Sequence, residues 1–173
     1  MDYISQFEVL KSKELSLDLT RGKPSEEQLD LSNSLINFDE KSFSSHGIDI
    51  RNYGEVKGLE ACRKLGSEIL GCSEDYIWSG GNSSLSLMSK FLSFLFIQGD
   101  ESGPWNNKER VSVLCPVPGY DRHFKLCETF GINMIPISLT GEGPDLEEVR
   151  TLVESDDSIQ GIWCVPKYSN PTG

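Results

Sequence analysis

Over residues 58–70 the apolar positions Leu59, Cys62, Leu65 and Ile69 recur at helical spacing, and Gly71 stands where a left-handed residue would cap that helix. Beyond it, residues 76–79 read as a short apolar strand. Gly80-Gly81-Asn82-Ser83 then turns into a segment that places Leu85, Met88, Phe91, Leu92 and Leu95 on one helical face. Residues 111–115 predict a buried strand, 120–130 a helix and 134–139 a strand. Residues 146–153 predict a further helix, opened by Asp145 and Glu148 as an Asp-x-x-Glu start signal. A last apolar strand spans 159–165, followed by a loop to Gly173. Before Tyr53 the pattern is polar and irregular, with Ser/Asn/Asp-rich stretches at 32–37 and 42–47.

Strands that alternate with helices of this length imply βαβ crossovers and a mainly parallel sheet covered on both faces, so the expected fold class is α/β. Residues 1–50 are expected to form an N-terminal arm, and residues 51–173 the first part of a larger domain. In such sheets ligands sit at the carboxyl ends of strands, and the polar loops considered below are expected at those ends.

Composition narrows the classes. The 173 residues, 37% hydrophobic and 25% charged, suit a folded globular chain of about one domain. With 27 acidic against 16 basic residues the net charge is −11, which repels phosphate backbones and argues against a nucleic-acid partner. The apolar run at 91–97 is too short to span a bilayer, and residues 1–13 lack the basic and apolar regions of a secretory signal, so a cytoplasmic chain with no membrane association is expected. The five cysteines, Cys62, Cys72, Cys115, Cys127 and Cys164, read as reduced core residues. No metal site is expected, because His46 and His123 lack a second ligand at metal spacing.

Three loops carry candidate chemistry. Gly80-Gly81-Asn82-Ser83-Ser84 opens a helix, so backbone N–H groups, an amide, hydroxyls and the helix dipole can face one anion; the same residues also suit a plain helix cap with a tight turn. They fit neither G-x-x-x-x-G-K-[ST] nor G-x-G-x-x-G. Cys115-Pro116-Val117-Pro118-Gly119-Tyr120 presents an aromatic ring at a strand end, either to stack a flat ligand or to pack on its neighbours. His123 reads as polar helix surface, and Lys167 as solvated. In Lys167-Tyr168-Ser169-Asn170-Pro171-Thr172-Gly173 a proline-glycine turn holds an asparagine whose amide can reach a ligand oxygen.

In this order the residues resemble the class I, fold-type-I aminotransferases that depend on pyridoxal 5'-phosphate, and within them the aspartate-aminotransferase-like subgroup. Leu19-Thr20-Arg21-Gly22-Lys23-Pro24 looks like the family's N-terminal Gly-x-Pro segment, and Tyr53-Gly54 through Gly58 like its Tyr-x-x-x-x-Gly motif. The resemblance implies that Gly81, Asn82 and Ser83 hold the cofactor phosphate, that Tyr120 stacks on its ring, and that Asn170 bonds the ring's phenolic oxygen. It implies that Gly22 borders the substrate carboxylate, and that Tyr53 reaches the phosphate bound by a partner subunit, hence a homodimer. The expected substrates are an α-amino acid, with aspartate as the family-based choice, and a 2-oxo acid. In the family's order the aspartate facing the pyridine nitrogen and the Schiff-base lysine follow Asn-Pro-x-Gly, beyond Gly173, so no catalytic residue is expected here and the chain reads as the N-terminal part of the large domain. The motifs describe cofactor binding rather than reaction choice, which leaves a β-lyase, a decarboxylase and a non-catalytic anion-binding module as alternatives.

Overall fold

The computed structural model describes residues 2–16, 22–37 and 43–173. Residues 19–21 of the N-terminal motif lie outside the described residues. The chain divides into two compact units, Met1–Ala61 and Cys62–Gly173.

The first unit is more regular than its polar pattern predicts. Helix α1 (Tyr3–Lys11) is started by Asp2, whose carboxylate accepts the Ser5 N–H at 2.7 Å. Helix α2 (Glu26–Asp30) is started by a reciprocal capping box between Ser25 and Gln28. A 3₁₀ turn spans Asn33–Ile36, and a small hairpin pairs β1 (Ser44–Ser45) with β2 (Ile48–Asp49). The expectation of an irregular segment failed because these helices rest on caps rather than on a buried stripe: Tyr3, Ile4, Phe7 and Leu10 of α1 are all exposed.

Helix α3 (Glu60–Leu70) ends as its pattern predicts, with Gly71 at φ +70° and its N–H donating to the Ser67 carbonyl at 2.8 Å. Residues 76–79 do not form the expected strand. Glu74–Tyr76 is a 3₁₀ turn capped by Ser73, and the extended residues after it join no sheet among the described residues. Ile77 is buried between exposed Tyr76 and Trp78, and its anchor is a helix: a Cβ at Gly66 of α3 would stand 2.9 Å from Ile77 Cγ2. The Gly80–Ser83 turn into α4 (Ser84–Ile97) therefore follows an irregular segment rather than a sheet strand.

Then come β3 (Ser112–Val117), α5 (Asp121–Thr129), β4 (Asn133–Thr140), β5 (Gly143–Pro144), α6 (Leu146–Ser155) and β6 (Ile159–Ile162). They form a sheet of order β5-β4-β3-β6, in which β3 runs parallel to both β4 and β6 while β5 is antiparallel to β4. Central β3 is buried from Ser112 through Pro116, as its unbroken apolar run requires of a strand covered on both faces. The last strand stops at Ile162 instead of continuing to 165, although the Trp163 N–H still donates to the Leu114 carbonyl at 3.0 Å. Asp145 caps α6 by accepting from the Glu147 and Glu148 N–H groups, but Glu148 does not reach back to it. Its carboxylate instead accepts the Ser138 N–H at 2.8 Å and ties the helix to the end of β4.

Alternate residues of the β3 segment, Val111, Val113 and Cys115, join Leu92 of α4, Cys127 of α5, Trp105 and Ile132 in one buried cluster. At the amino ends of the strands a polar network sets the register. Ser112 and Ser158 hydroxyls lie 2.8 Å apart, the Asn133 amide donates to Ser112 Oγ, and Arg110 donates to Ser158 Oγ and the Asp156 carboxylate. The core reading of the cysteines holds for Cys115 and Cys127. Cys62, Cys72 and Cys164 are exposed, because α3 buries no residue and β6 ends before Cys164.

Candidate functional site

From β3 the chain crosses through α5 to β4 on one side, then returns through α6 to β6 on the other side of β3. The loop leaving β3 and the segment leaving β6 meet at the carboxyl ends of these two adjacent parallel strands, where open α/β sheets take ligands. A cavity of about 530 Å³ opens there, within the roughly 300–1,000 Å³ typical of small-molecule sites. Its lining comes from the β3–α5 loop, the β4–β5 turn and the segment after β6.

The first wall is built by Pro116, Pro118, Gly119 and Tyr120. A side chain at Gly119 is excluded, since a Cβ would stand 2.7 Å from both the Pro116 carbonyl oxygen and Phe124 Cζ. That close approach brings Tyr120 to the N-cap position just before α5, in the cavity lining. The opposite wall includes Trp163, Ser169 and Asn170. The chain reaches Asn170 through Tyr168, whose φ of +53° lies in the left-handed region uncommon for a side chain of that size, and the Gly173 N–H closes the turn on the Ser169 carbonyl at 2.6 Å. The Asn170–Pro171 and Val117–Pro118 bonds are cis.

Two of the residues singled out in the sequence, Tyr120 and Asn170, thus meet across one cavity although 50 positions apart. Gly81, Asn82 and Ser83 form the exposed turn at the start of α4 in the same unit and are not among the residues lining that cavity. Ser83 Oγ accepts the Ser86 N–H at 3.3 Å, the cap of that helix. Space around Gly81 is open, with no atom within 4 Å of a Cβ built there. Gly22 and Tyr53 belong to the first unit; both are exposed, Tyr53 at 98%.

Two lining residues escaped the sequence reading. His123 is buried, at 7% exposure, rather than polar helix surface. Its ring stacks on Trp163 at 5.0 Å between centroids and meets the Tyr120 ring edge-on at 5.1 Å. Burial pushes its pKa below the ordinary imidazole value, so the ring is neutral at pH 7. The available signal was the spacing of three between Tyr120 and His123 at a helix start, which puts both on one face. Trp163 had no comparable signal, because its role depends on where β6 ends.

The sequence pattern of the family described as "Aspartate amino-transferase" matches residues 2–173. A candidate aminotransferase of Mycolicibacterium smegmatis is 47% identical over 170 residues, which cover 95% of this chain and 40% of that protein. The crystal structure of an aspartate transaminase from Corynebacterium glutamicum superposes with a TM-score of 0.85 at 42% identity, over 97% of this chain and 40% of its own. Kynurenine aminotransferase from Pyrococcus horikoshii superposes with a TM-score of 0.65 at 19% identity, over 100% of this chain and 42% of its own, a likeness of fold. The chain spans about 40% of the length of the curated relatives it matches.

Proposed function

We propose, on the premise that this chain belongs to the aspartate aminotransferase family, that it supplies part of the site for pyridoxal 5'-phosphate in a protein that moves an amino group between an α-amino acid and a 2-oxo acid. The observation that carries this reading is the cavity at the carboxyl ends of β3 and β6, in which an aromatic ring and an asparagine amide face one space large enough for a pyridine ring. When bound, pyridoxal 5'-phosphate supplies the electron sink for bond breaking at the amino acid's α carbon. The chain's own residues bind and orient. Tyr120 provides a flat face, the Asn170 amide N–H donates to the ring's phenolic oxygen, and neighbouring prolines exclude water. Gly81, Asn82 and Ser83 provide N–H and O–H donors for the phosphate at the positive end of the α4 dipole. Gly22 borders the substrate carboxylate and Tyr53 acts across a homodimer interface; the near-complete exposure of Tyr53 supports that role. Aspartate is the proposed amino donor. No helix among the described residues is long and apolar enough to cross a membrane; a cytoplasmic location is part of the proposal.

The test is binding of pyridoxal 5'-phosphate by the purified chain, followed by quenching of tryptophan fluorescence. Saturable binding that Tyr120→Ala and Asn170→Ala each weaken is the expected result. A wild-type chain that binds no better than both variants would sink the reading. For amino transfer itself, reading the coding sequence past Gly173 for an in-frame aspartate followed by a lysine decides whether the catalytic groups accompany this site.

A further inference from the structure

Tyr120, His123 and Trp163, all in the cavity lining, form a row of three aromatic rings, stacked at one contact and edge-on at the other, and the middle ring has no role in the site as described above. Trp163 is fixed at both ends. Its backbone N–H donates to the Leu114 carbonyl of β3 at 3.0 Å, and its indole N–H donates to Cys127 Sγ at 2.8 Å. Cys127 and His123 stand four positions apart on α5, hence on one helical face. The helix thus offers Trp163 a sulfur acceptor at one turn and an imidazole plate at the next, and the two rings lie nearly parallel, 16° apart. On its other side His123 meets Tyr120 at an interplanar angle of 89°, and its backbone N–H donates to the Tyr120 carbonyl at 3.1 Å. The neutral state of the buried imidazole suits it to this packing.

We infer that His123 is a positioning residue for Tyr120, a middle ring that transmits the fixed orientation of Trp163 to the tyrosine and so sets the plane of the face offered to the cofactor. This rests on the cofactor reading given above. The role requires a ring and no proton. A flat aromatic replacement should preserve it, and a polar side chain of similar reach without a ring should not.

The experiment uses the whole chain with ¹³C-labelled tyrosine, the Tyr120 signals being assigned by Tyr120→Phe. In the wild type and in His123→Phe those signals are displaced by the neighbouring rings. In His123→Asn they move to random-coil positions while the core methyl spectrum is retained; His123→Gln serves where His123→Asn fails to fold. Pyridoxal 5'-phosphate binding then weakens up to about tenfold in His123→Asn and less than about twofold in His123→Phe, the order expected of one aromatic contact. The double variant Tyr120→Ala/His123→Asn binds as Tyr120→Ala alone does. Unchanged Tyr120 signals in His123→Asn, or additive losses in the double variant, overturn the inference. A wild-type chain without affinity for pyridoxal 5'-phosphate overturns the cofactor reading instead, and the tyrosine spectra still decide whether His123 orders Tyr120.

Discussion

Substituting Gly119 by alanine probes the most crowded point of the site. The built Cβ lies 2.7 Å from the Pro116 carbonyl oxygen and 2.7 Å from Phe124 Cζ. A ring tip can swing away, but the carbonyl of Pro116, a buried residue of β3 in register with β4, moves only with the strand. The Cβ must gain several tenths of an ångström from the carbonyl, a displacement passed directly to Tyr120 as the next residue. Overpacking of this kind costs about 1–3 kcal/mol. For a chain of this size that lowers Tm by roughly 2–4 °C for each kcal/mol. Gly161→Ala is the control, since that position has no atom within 4 Å of a built Cβ, no positive φ and no place in the cavity lining; it should stay within about 0.5 kcal/mol of the wild type. Adding Phe124→Leu to Gly119→Ala separates the two contacts, because the shorter side chain removes the clash with the ring and leaves that with the carbonyl. Thermal and urea unfolding of the variants measures the effect, and pyridoxal 5'-phosphate titration measures its transfer to the site. Gly119→Ala with the stability and affinity of the Gly161→Ala control would refute the close-approach argument.

Leu114, at 1% exposure in the central strand, should cost about 2–5 kcal/mol on replacement by alanine, read from the urea midpoint. Asp100 accepts hydrogen bonds from Ser102 and from the Trp105 indole, which hold its carboxyl down at about 2. Its ordinary value is about 3.9, so the stabilisation is complete above about pH 4 and is lost as pH falls towards 2. The urea midpoint of the wild type should fall over that window relative to Asp100→Asn, and parallel profiles would contradict the assignment. Iodoacetamide on the native chain should label Cys62, Cys72 and Cys164 and spare Cys115 and Cys127 until the chain is unfolded, as peptide mass spectrometry will show. Cys115 is protected twice over, since a hydrogen bond with the Cys127 sulfur and burial push its thiol well above the usual range.

Periodicity determined the elements that bury a face. The apolar stripe of α4, the unbroken run of β3 and the glycine after α3 each predict a local structure from neighbours within one or two turns, and each formed. The motif order also determined which loops carry candidate chemistry, and the family they resemble is the family that matches. Local pattern misled where the stabilising partner was distant or polar. Residues 76–79 have a strand's short apolar run, but Ile77 found its partner in α3, and α1 formed on a cap with no buried stripe. The meeting of Tyr120 with Asn170 and the burial of His123 were decided only by tertiary structure. Both follow from the return of β6 to the far side of β3, which places Trp163 over the first turns of α5. That pairing joins residues some 40 positions apart, at a distance in sequence where no periodicity of 2 or 3.6 carries information.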